Sequence, residues 1–140
     1  MAFRIRQPVR HPDIDRAGIV YFPRFYDFFH RALEDFFEQE VGVPFWEMTD
    51  RMKVGFPVVH IDTDFQRPLQ HGGAVTIELS TVKIGAHSVS IRYAVYRPGE
   101  DAPASVSTIV LACIELPAFR KAPLPDVVRA AFERHRVAAG

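Results

Sequence analysis

A carboxylate, a glycine and the start of a helix converge at one place in this sequence, where His11-Pro12-Asp13-Ile14-Asp15-Arg16-Ala17-Gly18 runs toward Tyr21-Phe22-Pro23. A loop carboxylate can attack an electrophile or activate a water. The unpaired amides and positive dipole end of a following helix can polarise a carbonyl without any charged side chain. Gly18 would let the backbone approach a ligand closely or take a positive φ. Taken alone, Asp15 reads as an Asx-turn or capping carboxylate, and it is the residues around it that single it out. Asp13 would raise the pKa of Asp15 by like-charge repulsion only if both carboxylates pointed inward, and a solvated Asp13 is the expectation. His11 reads as the end of a strand. His60, His71 and His135 lack metal-ligand spacing, so no metal site is expected.

The elements that must position this loop follow from hydrophobic periodicity. Phe3 to His11 alternates apolar and mostly basic residues as a strand, at an edge because Pro8 has no amide proton. From Pro23 to Gly42 the period becomes helical, with Phe25, Phe29, Leu33, Phe36 and Phe37 three or four residues apart over about 19 residues, roughly 28 Å. Pro23 suits the first turn and Gly42 the stop. Five of the 12 Phe lie in that stretch, and most of them are read as facing a sheet. Pro44 to Met52 reads as a second, short helix. Four strands follow at Phe56 to Phe65, Ala74 to Ile84, His87 to Arg97 and Ala104 to Leu116, with short connections that predict an antiparallel, meander-like sheet. Pro123 to Arg136 closes the chain as a short helix with Val127, Val128, Ala131 and Phe132 as its apolar residues. No repeat, linker or low-complexity stretch interrupts the order.

Composition narrows the classes of function. The 140 residues suit one domain, 1–140, which would bury on the order of two-thirds of its unfolded surface. The 17 Lys and Arg balance the 17 Asp and Glu, which removes the electrostatic footprint of a nucleic-acid binder. The single Cys113 excludes an intramolecular disulfide and favours a reducing compartment. Met1 to Arg10 has no apolar signal core, and Glu115 and Pro117 interrupt the most apolar stretch, so a cytoplasmic protein with no membrane partner is expected. Zero net charge with 48% hydrophobic residues predicts that a second subunit covers part of the surface.

The segment Asp15-Arg16-Ala17-Gly18-Ile19-Val20-Tyr21-Phe22-Pro23-Arg24-Phe25-Tyr26 resembles the signature of the 4-hydroxybenzoyl-CoA thioesterase family, an Asp, an Ala-Gly-Ile-Val run, two aromatics and a Pro ahead of a long helix. Weaker likeness extends through Gly42 to Trp46, Gly55-Phe56-Pro57 and Phe65-Gln66-Arg67-Pro68. The resemblance implies an α+β hot-dog fold, a long central helix wrapped by an antiparallel sheet of five or more strands, assembled as a homodimer or a dimer-of-dimers tetramer. It implies hydrolysis of an aromatic, benzoyl- or hydroxybenzoyl-type acyl-CoA to the free acid and CoA, without a cofactor.

Carried over residue by residue, the resemblance makes Asp15 the nucleophile or general base and the Phe22 amide the oxyanion donor, with Gly18 in the same turn. Acyl-contacting positions fall at His30, Trp46 and Phe56; plain core is the competing reading of the two aromatics. His30 stands where the 4-hydroxybenzoyl enzyme has an Asp that accepts the substrate phenol, so specificity is expected to be relaxed or redirected. CoA-contacting positions fall at Lys83, His87 and Ser88, in a stretch poorer in charge than the family's. Arg67 and Arg92 are alternative phosphate partners. Two other functions fit the same residues: a thioesterase for short or medium fatty acyl groups on CoA or acyl carrier protein, and a non-catalytic acyl-CoA-binding module. Members acting on fatty acyl groups more often carry His than Pro after the paired aromatics, so Pro23 favours the aryl branch.

Overall fold

In the computed structural model, residues 2–137 are described; Met1 of the N-terminal basic stretch and residues 138–140 of the expected 1–140 domain lie outside the described residues. The first strand, β1 (Phe3–Val9), turns Phe3, Gln7 and Val9 inward and Arg4 and Arg6 outward, and Pro8 sits at the sheet edge as its missing donor requires. The helix α1 (Arg24–Phe36) buries Phe25, Phe28, Phe29, Ala32, Leu33 and Phe36. It does not run as one regular helix to Gly42: residues Phe37–Val41 form a wider, π-helical turn, and Gly42 then ends it at φ 82°. The turn begins at the adjacent pair Phe36 and Phe37, both fully buried. Neighbours on a regular helix point about 100° apart. Here Phe36 meets Phe3 and Phe132 while Phe37 meets Phe45 and Phe56, so the two rings pack into different parts of the core.

After α2 (Phe45–Asp50) come the short β2 (Val54–Gly55) and the long β3 (Val58–Phe65), β4 (Gly73–Ile84), β5 (Ser88–Tyr96) and β6 (Ser105–Ala112). All pairings in the main sheet are antiparallel, but the order is β1-β4-β5-β6-β3, so the expected meander holds only for β4 to β6. The strand β3 lies beyond β6 instead of beside β4. Three strand spacings separate β3 from β4, about 14 Å, well within the reach of residues 66–72 at roughly 3.3 Å each. The buried residues of β4 and β5, including Ile77, Leu79, Ile91, Tyr93 and Val95, form the floor on which α1 rests.

The predicted strand Ala104 to Leu116 divides at Cys113, whose amide donates to the His87 carbonyl at 2.7 Å. Beyond it, β7 (Ile114–Glu115) joins β2 and β8 (Arg120–Lys121) in a second, three-stranded sheet. The last helix, α3 (Asp126–Arg134), buries Val128, Ala131 and Phe132 at helical spacing. Val127 does not join them: it is 46% exposed, because its immediate neighbour Val128 takes the inward direction. His135 bonds Glu40 at 2.5 Å and its carbonyl accepts the Thr81 amide, which ties the chain end to both α1's terminal turn and β4. Among the described residues no helix is long and apolar enough to cross a membrane.

The outer face of the sheet carries an ion cluster, Arg4 on Glu78 at 2.9 Å with Arg92 at 4.0 Å, so the proposed phosphate partner Arg92 is already paired. Large apolar side chains are exposed instead along the edge strand β3, at Val58, Val59, Ile61 and Phe65. Truncating Phe36, the ring at the centre of the α1, α3 and β1 contacts, is expected to destabilise the fold by about 3–5 kcal/mol. Val127→Ala should stay within about 0.5 kcal/mol. Chemical denaturation of the two variants distinguishes the buried from the exposed assignment.

Candidate active site

The loop ahead of α1 is closed on itself. The Tyr21 amide donates to the Asp13 carbonyl at 2.9 Å and the Asp15 amide to the Ile19 carbonyl at 2.9 Å, with Gly18 at the tip donating to the Asp15 carbonyl at 3.1 Å. Gly18 takes φ 82° with nothing within 4 Å of where a Cβ would sit, so it is the left-handed backbone, not crowding, that calls for glycine. A bond from the Val20 amide to the Leu69 carbonyl, 2.8 Å, fastens the loop to the approach of β4.

Within this loop Asp15 is half-buried, and its Oδ1 accepts the Ala17 amide at 2.8 Å in an Asx turn. Its Oδ2 accepts no hydrogen bond among the described residues. Asp13 is engaged elsewhere, its Oδ2 accepting the Arg10 amide at 2.9 Å, as a locally satisfied carboxylate. His11 does not end the strand as expected: β1 stops at Val9, and His11 opens a 3-10 turn, His11–Asp13, with its ring edge-on to that of His71. One residue before Pro23, the Phe22 amide has no acceptor among the described residues, although the neighbouring Val20, Tyr21 and Arg24 amides are all bonded. An N–H left free at a helix start is a ready donor for an oxygen that gains negative charge.

Beside that amide lies a groove of about 410 Å³ lined by Ile19, Phe22, Phe25, Phe65, Arg67 and Leu69 among others. The Phe22 ring is 59% exposed and leans edge-on against Phe65, which in turn meets Phe25 at 5.0 Å. Arg67 at its rim pairs with Glu100 at 2.5 Å. Hydrogen bonds from Arg97 foremost, and from Arg67, hold the Glu100 carboxyl below its ordinary range, so Arg67 is committed to this pair.

Farther along α1, His30 reaches Glu34 at 3.4 Å and sets its ring edge-on to Phe45. It borders a smaller, carbon-lined cavity of about 90 Å³ between α1 and β3. Phe56 packs on Phe37 and Phe45 as half-buried core, which agrees with the core reading of that aromatic. Trp46 does not: it stands 62% exposed on α2. Asp15, Gly18 and Phe22 thus share one closed loop, with His30 a little over two helical turns, roughly 12 Å, beyond Phe22.

Lys83, His87 and Ser88 gather at the turn between β4 and β5, at the far end of β4 from this loop. Some ten residues of strand separate Lys83 from Gly73, roughly 30 Å. That turn is built tightly: the Gly85 amide donates to the Ser88 carbonyl at 2.9 Å, and a Cβ on Gly85 would meet the Ser88 hydroxyl at 2.7 Å. Arg129 of α3 holds the turn from behind, donating to the Gly85 carbonyl at 2.9 Å. The sequence assigns no site role to Phe25, Phe65, Tyr26 and Thr63, which line or flank the cavities. Their signal was only an apolar or polar position on an inward face, which core residues share.

Three comparisons bear on this arrangement. A 1,4-dihydroxy-2-naphthoyl-CoA hydrolase of Nostoc punctiforme is 31% identical over 143 residues, covering 97% of this chain and 90% of its own. The crystal structure of a 1,4-dihydroxy-2-naphthoyl-CoA thioesterase from Synechocystis superposes with a TM-score of 0.86 at 26% identity, covering 94% of this chain and 96% of its own. That of a gentisyl-coenzyme A thioesterase does so with a TM-score of 0.80 at 27% identity, covering 94% of this chain and 99% of its own. The expected hot-dog architecture and thioester-hydrolase class agree with these relatives. A family model also matches residues 9–132, which takes in the Asp15 loop, α1 and the whole main sheet beyond β1, and by that match the chain belongs to the Thioesterase-like superfamily.

Proposed function

We propose that this protein is an acyl-CoA thioesterase that hydrolyses an aromatic acyl-CoA to the free acid and CoA. The observation that carries the reading is the unpaired Phe22 amide, at the start of α1, beside an apolar groove and on the same closed loop as a carboxylate with one uncommitted oxygen. The thioester carbonyl binds with its oxygen on the Phe22 amide, where the helix dipole adds to the stabilisation of the tetrahedral oxyanion. Asp15 then acts in one of two ways. As nucleophile it bonds to the carbonyl carbon, the C–S bond breaks, the thiolate takes a proton, and water cleaves the resulting anhydride. As general base it takes a proton from a water that attacks the same carbon, the tetrahedral intermediate collapses with cleavage of the C–S bond, and the proton passes to the departing thiolate. Gly18 supplies the backbone reversal that keeps Asp15 on this loop.

The acyl group extends from Phe22 along α1 toward His30, with Trp46 and Phe56 farther out. The names of the relatives favour a hydroxylated naphthoyl group as the first candidate and the benzoyl and hydroxybenzoyl groups of the 4-hydroxybenzoyl-CoA thioesterase family as the next. Lys83, His87 and Ser88 meet the CoA phosphates. They stand at the end of β4 away from the Phe22 loop, roughly 30 Å along the strand from Gly73, which supports a site completed by a second chain in a homodimer or a dimer-of-dimers tetramer. The exposed apolar side chains and free edge of β3 support the same conclusion. The lone, buried Cys113 suits a reducing, cytoplasmic setting.

Asp15→Asn should fold, by circular dichroism, and lose about a hundred- to ten-thousand-fold in thiol release. Phe22→Ala keeps the backbone donor and should stay within about tenfold of the parent. Measured against naphthoyl-, benzoyl-, butyryl- and octanoyl-CoA, turnover should peak on an aryl ester. A peak on octanoyl-CoA would move the protein to the fatty acyl class, and binding without thiol release would make it a binding module. Light scattering should give an even number of chains, and Ile61→Arg on β3 should yield monomers with reduced turnover; a monomeric parent protein would refute the assembly.

A further inference from the structure

Inside the small cavity between α1 and β3 sits one polar group that the fold itself does not use. Tyr93, on the inward face of β5, is 2% exposed, and its ring stacks on Phe29 at 4.8 Å. Its hydroxyl makes no hydrogen bond among the described residues, and it lines the cavity with Tyr26, Phe29, His30, Leu33 and Ile61 among others. Burial raises the Tyr93 phenol well above its ordinary pKa, so it stays a neutral O–H that can donate and accept.

The neighbouring hydroxyls are satisfied in a way that leaves Tyr93 out. Tyr26 bonds Thr63 across to β3 at 3.0 Å, and Thr63 bonds Ser107 of β6 at 2.7 Å. Ser107 is the residue directly opposite Tyr93 in the β5–β6 register, yet its hydroxyl is turned to Thr63. The Tyr93 hydroxyl therefore has no partner among the described residues, and Phe would fill the same stack on Phe29 without it. The cavity wall is otherwise chiefly carbon, so a water there would find few of the two to four partners that a buried water needs. At about 90 Å³ the space takes part of one aromatic ring; an apolar cavity of about 150 Å³ encloses benzene whole. Its lining begins at Tyr26, about one turn or roughly 6 Å along the helix beyond Phe22, within the span of an aromatic acyl group whose carbonyl rests on the Phe22 amide.

We infer that the Tyr93 hydroxyl is a specificity group that hydrogen-bonds a ring hydroxyl of the aromatic acyl group, the ring entering the cavity edge-first past His30 and Tyr26. The inference rests on the aryl-CoA thioesterase reading above and extends it to the substituent. A hydroxylated ring gains a buried partner, and an unsubstituted ring leaves the Tyr93 hydroxyl unpaired, so the site discriminates between them.

The test compares kcat/KM for thiol release from 1-hydroxy-2-naphthoyl-CoA and 2-naphthoyl-CoA, using the full-length protein and its Tyr93→Phe variant. The parent protein should favour the hydroxylated ester, and the variant should lower the ratio of the two values by about tenfold or more, with thermal stability held because the ring keeps its stack on Phe29. An unchanged ratio in the variant overturns the assignment of Tyr93 while leaving the thioesterase reading intact. A parent protein with no preference between the two esters overturns it whether or not the variant folds. Absence of thiol release from either ester in the parent protein instead removes the thioesterase reading, and the Tyr93 inference with it.

Discussion

Everything in this molecule depends on keeping one aromatic helix face dry. Phe25, Phe28, Phe29 and Phe36 project from α1 onto the inward side chains of β1, β4 and β5, and the contacts continue through Phe3 and Phe132 to the ends of the chain. Burial of side chains this large dominates the favourable free energy of a domain of this size. It also dictates position: with the helix pressed to the sheet along its length, its first turn can point to only one place, the mouth of the loop from Ile14 to Tyr21.

That loop converts a packing requirement into an electrostatic one. A helix start carries amides with no intrahelical acceptor, and most proteins cap them with side chains. Here the start is Pro23 with no capping side chain, and the chain before it spends its own hydrogen bonds on closing the loop and on Leu69. The Phe22 N–H is what remains. An electropositive spot is therefore left facing an aromatic groove, where low polarity strengthens its pull on a developing negative charge.

Much of this was legible in the sequence, because it is written in local patterns. The Phe spacing of α1, the alternation in Ser88–Tyr96 and the turn chemistry of Asp15 to Gly18 each depend on neighbours a few residues away, and each is found where those patterns put it. What the pattern misses is non-local. The position of β3 beyond β6 is a choice among pairings that all satisfy the same alternation, and the split at Cys113 depends on a bond to His87 26 residues earlier. The site divides along the same line. The Asp15 loop is contiguous and readable, whereas Tyr93, Thr63 and Phe65 meet α1 only through sheet order, so in the sequence they look like any other inward residues. Trp46 shows the opposite limit: its type suggests core, but its place on a six-residue helix turns it to the outside.

The wide turn at Phe37–Val41 has a further meaning for how this fold packs. A π turn accommodates one extra residue in a regular helix, so it resets the angular phase of whatever follows. The thirteen residues of α1 are thereby phased differently from the turn whose Glu40 receives His135, while Phe36 at the end of α1 still meets Phe132 of α3. The wide turn therefore gives one helical segment two inward directions, one taken by Phe36 toward β1 and α3 and the other by Phe37 toward Phe45 and Phe56.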